Sequence, residues 1–201
     1  MKRINSFLLF IFCAITLQAQ EQGIVRYVRE GGTGKGTSWE DATGSIQRAV
    51  NAVAAFGRGE VRVAGGKYAE MVKIMGSDIR LIGSIDPATN EQSTKTNLSR
   101  IQIMNQPCGI YVAYFQRNIV VDGFAVVRGG ADKPFDYDSD ISMASGGISI
   151  HSAGTVIRNC SVIGYKTGEW GIDMDVARVL LENCYVAAGI NYTLFTEENP
   201  D

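Results

Sequence analysis

The sequence predicts an all-β solenoid in which short parallel strands stack coil upon coil. Three segments share one pattern, and they begin at Gly109, Gly147 and Gly171. Within each segment apolar residues alternate with polar ones, which is the period of a strand with one buried face. Short strands in repeats of 24 residues (Gly147 to Gly171), with no helix between them, exclude βαβ units and favour a stack of coils.

Each repeat contains two short strands. The segments are "GIYVAYFQRNIVVDGFAV", "GISIHSAGTVIRNCSV" and "GIDMDVARVLLENCYV". A polar residue closes the strand near the middle of each repeat, and we align it as Asp122, Asn159 and Asn183. The same alignment matches an apolar residue of the next strand, as Ala125, Val162 and Val186. Because equivalent residues stack in a solenoid, we expect an amide ladder from Asn159 and Asn183, and a common corner for Cys160 and Cys184.

Earlier segments follow the strand pattern more loosely. Their alternating apolar residues are Val61, Val63, Val72, Ile74, Ile79 and Leu81. Polar stretches at residues 87–99 and 129–146 interrupt the pattern, and we interpret both as excursions from ordinary coils.

One segment predicts a helix. From Ser45 to Phe56 the apolar residues recur at i, i+3, i+4, i+7 and i+8, and Gly57 ends the pattern. Thr43 or Ser45 can cap the first turn. Such a helix would cover the open end of the stack, which otherwise exposes core and an unpaired strand edge.

The first 20 residues predict a secretory signal. Lys2 and Arg3 form a basic start, and an apolar run covers residues 7–17. Ala19 supplies a small residue near the expected cleavage point. No later segment is a candidate membrane span, so we expect an exported protein of a Gram-negative envelope: extracellular, at the cell surface or periplasmic.

Net charge argues against a nucleic-acid partner, and the cysteine count argues against a disulfide-stabilised fold. Loss of Lys2 and Arg3 with the signal changes the formal net charge from −2 to −4, which does not favour nucleic acid as a partner. An odd number of cysteines remains, so a complete disulfide framework is excluded and we expect small buried thiols. They are Cys108, Cys160 and Cys184.

The glycine-rich stretch "GGTGKGTSWEDA" (residues 31–42) lacks the spacing of a phosphate-binding loop. Gly36, rather than Ser or Thr, follows Lys35, and the dinucleotide pattern would need a glycine where Thr37 stands. We therefore predict a tight, exposed turn.

Together these features resemble a known class of proteins. The segment "YVREGGTGKGTSWEDATGSIQRAVNAVAAFGRGEVRVAGGKY" is similar to the start of secreted right-handed parallel β-helix proteins of Bacteroidetes. The later "GGISI" and "VIRNCSVIGY" resemble repeats of the pectin-lyase-like superfamily and of polymorphic outer-membrane proteins. The resemblance covers most of residues 24–190 and implies a right-handed parallel β-helix with an N-terminal capping strand and an amphipathic capping helix. That fold carries lyases, hydrolases, adhesins and stalks, so it implies no single activity.

The expected organisation has three parts: a signal at 1–20, a cap at 21–58 and coils at 59–201. No second cap is evident after the third clear repeat, so the last coil leaves a parallel edge. We expect a longer natural chain or self-association through this edge, in preference to self-capping by the last residues.

Alternating carboxylates raise the question of a calcium site. Asp136, Asp138 and Asp140 match the start of a calcium loop, but Ile141 and Gly147 stand where an EF-hand has Gly and Glu. A solvated acidic loop is the favoured interpretation, and bound calcium is the alternative.

The remaining catalytic inventory is small. His151 is the single histidine, and the chain has no GxSxG segment and no zinc spacing. We interpret His151 as an ordinary turn residue, with a catalytic role as the alternative.

One edge of the stack nevertheless gathers the residues that a polysaccharide groove needs. Alternation places Tyr111, Ser149 and Asp173 outward on successive coils. The candidate substrate-binding residues are Tyr111, Ser149, Tyr165, Glu169 and Trp170. The candidate catalytic residues are Lys166, Asp173 and Asp175, because carboxylates serve acid–base work and the resemblance implies a basic residue in a lyase. Arg128 is a poorer basic candidate.

Two functions follow as expectations. The first is a non-catalytic envelope module that binds a polysaccharide or cell-surface glycan, or serves as a scaffold similar to an adhesin. The alternative is a carbohydrate-active enzyme, either a calcium-dependent polysaccharide lyase of the pectate type or a glycoside hydrolase.

Overall fold

The computed structural model describes residues 23–93, 98–103, 106–128, 146–163, 170–176, 178–187 and, for the backbone alone, 189–192. These residues form one helix, α1 (Ile46–Phe56), and a series of short strands. The strands are β1 (Ile24–Val28), β2 (Gly59–Ala64), β3 (Gly66–Tyr68), β4 (Val72–Ile74), β5 (Ile79–Ile85), β6 (Ser99–Ile103), β7 (Ile110–Val112), β8 (Val120–Asp122), β9 (Phe124–Arg128), β10 (Ile148–Ile150), β11 (Val156–Arg158), β12 (Ser161–Ile163), β13 (Trp170–Met174), β14 (Leu180–Glu182), β15 (Tyr185–Val186) and β16 (Gly189–Tyr192).

The strands form three parallel sheets. Sheet A has the order β1-β2-β5-β8-β11-β14, sheet B the order β3-β6-β9-β12-β15, and sheet C the order β4-β7-β10-β13-β16. Every pairing between these strands is parallel. Three successive strands from β2 onward therefore make one coil with a strand in each sheet. This mostly-β architecture is compatible with the predicted parallel β-helix.

Columns of apolar residues fill the space between the sheets. In sheet C, Ile148 pairs with Ile110 on one side and with Ile172 on the other, and all three are completely buried. In sheet A, Val121 and Ile157 are paired in the same way and are also fully buried. The apolar positions of the predicted repeats are therefore the core of the stack.

The strand register corrects the predicted alignment of the repeats. Asp122 lies opposite Arg158, so Gly123, and not Asp122, is equivalent to Asn159 and Asn183. All three of these equivalent residues have left-handed backbones, with φ of 78°, 52° and 50°. Glycine and asparagine tolerate that conformation better than other residues, which explains their place at this corner.

The same correction applies to the strand that follows. Val162 pairs with Val126, and not with Ala125 as the alignment predicted, whereas its predicted pairing with Val186 is confirmed. The physical reason is a longer turn. Seven residues (113–119) separate β7 from β8, but five separate β10 from β11 and five separate β13 from β14.

The predicted amide ladder is confirmed. The side-chain amide of Asn183 donates to Oδ1 of Asn159 at 2.7 Å, and that of Asn159 donates to Oδ1 of Asp122 at 2.8 Å. Asp122 is almost fully buried and also accepts from Arg158 Nε at 2.7 Å and from Gln92 Nε2 at 3.1 Å. The ladder therefore ends on a carboxylate whose buried charge is matched by several donors.

The described cysteines are free thiols, as predicted. Cys108 and Cys160 are buried, and burial raises the pKa of each to about 12. Cys184, in register with Cys160 on the next coil, is only partly buried. Cys108 and Cys160 therefore pack as small apolar residues, as predicted, whereas Cys184 does so only in part.

Helix α1 forms where the periodicity predicted it. Ser45 caps the first turn by accepting from the Arg48 amide at 3.1 Å, and Gly57 ends the helix with a φ of 102°. Glu70 adds a second cap from outside the helix, because its carboxylate accepts from the amides of Ile46 at 2.7 Å and Gln47 at 3.1 Å. The apolar face of the helix packs on β1, β2 and β4. The helix thus covers the first coil.

The glycine-rich stretch is a turn, as predicted. The carboxylate of Asp41 accepts from the backbone amide of Lys35 at 3.1 Å and from the Thr37 hydroxyl at 2.7 Å. The hydrogen bond from Thr37 lowers the pKa of Asp41. Amides that would face a phosphate in a nucleotide-binding loop are therefore directed at the protein's own carboxylate.

Stacking makes the fold intolerant of charge inside the columns. We expect Ile172→Asp to abolish cooperative folding, because it buries a carboxylate without a partner at a cost of several kcal/mol. Ile163→Asp is the matched control, since Ile163 ends β12 and is 37% exposed. Thermal unfolding followed by circular dichroism should show a cooperative transition for the control alone; a cooperative Ile172→Asp protein would contradict the core assignment.

Candidate functional site

The outward face of sheet C carries a column of polar residues in strict register. Ser149 on β10 pairs with Tyr111 on β7 and with Asp173 on β13, as predicted, and Lys73 on β4 continues the column beyond Tyr111. Parallel strands lie about 4.8 Å apart, so Lys73 and Asp173 are separated by about 14 Å along the stack. The column therefore carries opposite charges at these two positions, and the β16 backbone continues it beyond Asp173 at Asn191.

A second column follows two residues further along each strand. The Ala113 amide donates to Ile74 O at 3.0 Å, and the His151 amide donates to Val112 O at 2.9 Å. The Asp175 amide donates to Ile150 O at 3.3 Å. Continuing the ladder in this way brings His151 and Asp175 side by side on adjacent coils.

A chain of hydrogen bonds joins the two columns. Ser149 Oγ is 2.8 Å from His151 Nε2, and His151 Nδ1 is 2.6 Å from Asp175 Oδ2. The Tyr114 hydroxyl donates to the same oxygen of Asp175 at 2.6 Å. Because a carboxylate only accepts, Nδ1 of His151 carries a proton, and in the neutral ring Nε2 accepts from Ser149.

Two tyrosines hold the imidazole between them. The His151 ring centroid is 5.0 Å from that of Tyr111 and 4.6 Å from that of Tyr114. The side chain of His151 is 2% exposed, whereas that of Asp175 is 16% exposed. Rings at these separations pack favourably, so the imidazole is fixed by packing as well as by its two hydrogen bonds.

The order Ser149–His151–Asp175 has the connectivity of a catalytic triad, but burial gives it another role. Ser149 is completely buried, so its hydroxyl is not open to a substrate in this conformation. A nucleophile must be reachable by the atom it attacks. We therefore interpret Ser149 and His151 as residues that position Asp175.

Asp175 is the accessible end of this chain. Its Oδ2 accepts from both His151 and Tyr114, while its Oδ1 is a buried atom with no hydrogen-bond partner in the described part of the chain. A buried acceptor without a partner is costly, so an additional donor to Oδ1 would stabilise Asp175.

The tyrosines of the site remain protonated over a wide pH range. Burial raises the pKa of Tyr114, and the hydrogen bond to Asp175 raises it further. Burial also raises the pKa of Tyr111. Tyr114 is therefore suited to donate a hydrogen bond at neutral pH and unsuited to act as a base.

The outcome for the predicted site residues is mixed. Tyr111, Ser149 and Asp173 form one column, and Asp175 lies beside it, but Ser149 is completely buried and so is not the solvent-facing substrate-binding residue that was predicted. Trp170 begins β13 and is 40% exposed. The other predicted residues lie outside the described part of the chain: Tyr165, Lys166, Glu169, Asp136, Asp138 and Asp140.

Two residues of the site, His151 and Tyr114, were not predicted from the sequence to belong to it. His151 is a member of a buried polar network and not an ordinary turn residue. The repeats contained the signal, because His151 and Asp175 each stand four residues after an opening glycine, Gly147 or Gly171. Tyr114 stands five residues after Gly109, where the other repeats have Ser152 and Val176, so the repeat pattern gives no signal for a tyrosine there.

Metal ligands and membrane segments are not found among the described residues. No three of their His, Cys, Asp or Glu side chains come together in a group that could hold a metal ion. The candidate calcium residues 136–140 lie outside this set. The helix that the structure describes is too short to cross a membrane.

Comparison of the chain with protein-family models, with curated proteins and with solved structures finds no match.

The hydrogen bond from Tyr114 to Asp175 should make the free energy of unfolding depend on pH in the alkaline range. A tyrosine whose pKa is raised by folding stabilises the fold fully below its ordinary value of 10.0 and loses that contribution as pH rises above it. We expect the unfolding free energy to fall above about pH 10, and Tyr114→Phe to reduce this fall. At neutral pH the same variant should lose about 1–2 kcal/mol, because it removes a hydrogen bond to a charged group.

Urea denaturation of both proteins at stepped pH measures these quantities. Tyr185→Phe is the control, since Tyr185 is 64% exposed on β15. An identical alkaline slope for wild type and Tyr114→Phe would show that the hydrogen bond does not stabilise the fold.

Proposed function

We propose that the protein is an exported, envelope-associated right-handed parallel β-helix that binds glycan chains on the outward face of sheet C. The handedness and the likeness to pectin-lyase-like proteins of Bacteroidetes belong to this proposal and rest on the sequence resemblance. The observation that supports glycan binding is the in-register placement of Lys73, Tyr111 and Asp173, in a column whose remaining member in this stretch, Ser149, is buried. It offers an extended chain an ordered row of charge, aromatic ring and carboxylate.

The chemistry of the face suits a sugar polymer. Aromatic rings pack against the apolar C–H face of a pyranose, while hydroxyls and carboxylates exchange hydrogen bonds with its rim. Lys73 is exposed and adds a cation that favours an acidic glycan. The bound chain would run along the stack, since the binding groups recur coil by coil.

A binding test follows from the column. Affinity electrophoresis of the purified chain through gels containing polygalacturonate, alginate or neutral laminarin should show retardation by at least one acidic polymer. We expect Lys73→Ala and Tyr111→Ala each to weaken that retardation about tenfold, the change produced by losing one ion pair or ring contact at a ligand.

Lys67→Ala is the matched control. Lys67 is also an exposed lysine at the middle of a three-residue strand, but it lies on β3 in sheet B. Equal losses for Lys67→Ala and Lys73→Ala would show non-specific charge attraction, and no retardation of the wild type by any polymer would overturn the proposal.

The second candidate function is a carbohydrate-active enzyme, and the specific observation in its favour is the pair Asp173 and Asp175. They stand two residues apart on the same side of one strand path, so their Cα atoms are about 7 Å apart. Glycoside hydrolysis by an acid and a base uses carboxylates about 6.5–9.5 Å apart. Asp175 is held by His151 and Tyr114, whereas Asp173 is partly exposed.

The enzyme hypothesis predicts new reducing ends. If the chain releases them from a retained polymer, Asp173→Asn and Asp175→Asn should each lower the rate at least a hundredfold, because each removes an acid–base group. Product with unsaturated ends would instead indicate a polysaccharide lyase. The assay is therefore repeated with added calcium, which a calcium-dependent lyase requires. Retention without product leaves the binding function and removes the enzyme.

A further inference from the structure

The turn between β7 and β8 holds an aromatic side chain in an unusual state. Phe115 is 97% exposed, and its backbone has a left-handed φ of 63°. Either property is uncommon for a phenylalanine, because water solvates the ring poorly and the Cβ crowds the backbone at positive φ. Glycine or asparagine would fit this position with less strain.

The strain is maintained by bonds from both neighbouring coils. The Gln116 amide donates to Ser152 Oγ at 2.7 Å, and the Arg117 amide donates to Ser77 Oγ at 3.2 Å. Ser152 Oγ donates in turn to Ala113 O, at the start of the same turn. A costly backbone state that is fixed by its surroundings is typical of ligand-binding positions.

The turn itself is an addition to the stack. It has two residues more than the equivalent turns of the next two coils, and the extra length lies in the segment 113–119. Loops of this kind carry function because the rigid coils position them without depending on their sequence.

The surroundings of Phe115 specify the kind of ligand. Its ring centroid is 6.0 Å from that of Tyr114, whose hydroxyl bonds to Asp175. Met75, 69% exposed, lies on the preceding coil in register with Ala113, two residues before Phe115. One exposed ring beside hydroxyl and carboxylate groups is small for a protein partner, which needs about 800 Å² of contact, but it matches a single sugar ring.

We propose that Phe115 is a stacking platform for one pyranose unit of the glycan, placed so that the next unit contacts Tyr114 and the exposed part of Asp175. This inference rests on the proposed glycan binding. It assigns the longer turn as the element that selects a pyranose ring, whereas the column on sheet C supplies the extended track.

The test uses one variant, Phe115→Gly, that should relieve backbone strain and weaken glycan binding at the same time. Phe115→Gly relieves the positive φ and removes an exposed ring, so its melting temperature should equal that of the wild type or exceed it by about 3 °C. Its retardation by the acidic polymer that retains the wild type should fall about tenfold. A purely structural turn residue would show no such opposition between stability and binding.

Two further variants separate the ring from other effects. Phe115→Trp keeps an aromatic face and should restore the retardation, whereas Phe115→Leu keeps apolarity without the ring and should not. Phe56→Ala, which removes a 48% exposed phenylalanine at the end of α1, should bind as the wild type does.

The outcomes distinguish the two proposals. If Phe115→Gly binds like the wild type while Tyr111→Ala loses binding, the stacking role is wrong and glycan binding on sheet C stands. If polygalacturonate, alginate and laminarin all fail to retard the wild type, both proposals fail. Weaker binding by Phe115→Gly, with rescue by Phe115→Trp, establishes the platform.

Discussion

In-register stacking of parallel strands is the constraint on which the rest of the molecule depends. Each coil must place a residue of the same kind about 4.8 Å above the last. Isoleucines 110, 148 and 172 satisfy this inside sheet C, and the asparagine ladder satisfies it at a corner. The same strand register aligns the outward-pointing residues from Lys73 to Asp173. The candidate site therefore depends on the stacking of the coils.

The buried polar network explains why one coil differs from its neighbours on that face. Lys73 and Met75 are exposed on the first coil, whereas Ser149 and His151 are buried on the third. A buried hydroxyl and imidazole would be costly alone, but each has a partner, and the chain of bonds ends on a charged carboxylate. The result is a fixed Asp175 at the boundary between protein and solvent.

The sequence predicts the architecture well because a repeat constrains every coil at once. Periodicity anticipated the columns, the ladder and helix α1, but it misplaced Asp122 by one position because the longer turn shifts the repeat. His151 and Tyr114 were undervalued for different reasons. Motif spacing along the chain does not reveal partners that stacking brings together, and Tyr114 differs in kind from its counterparts Ser152 and Val176. The helix cap that Glu70 provides could not be predicted from local sequence either, because Glu70 lies 24 residues after Ile46 in the chain.

The asparagine ladder can be lengthened at one end only, because its other end is the Asp122 carboxylate. Each amide donates toward the preceding coil until Asp122, which only accepts, so the series cannot continue past it in that direction. Duplication of the 24-residue unit from Gly147 to Gly171 would insert a coil whose asparagine continues the ladder. Coils inserted in this way would lengthen the stack without any change to the cap.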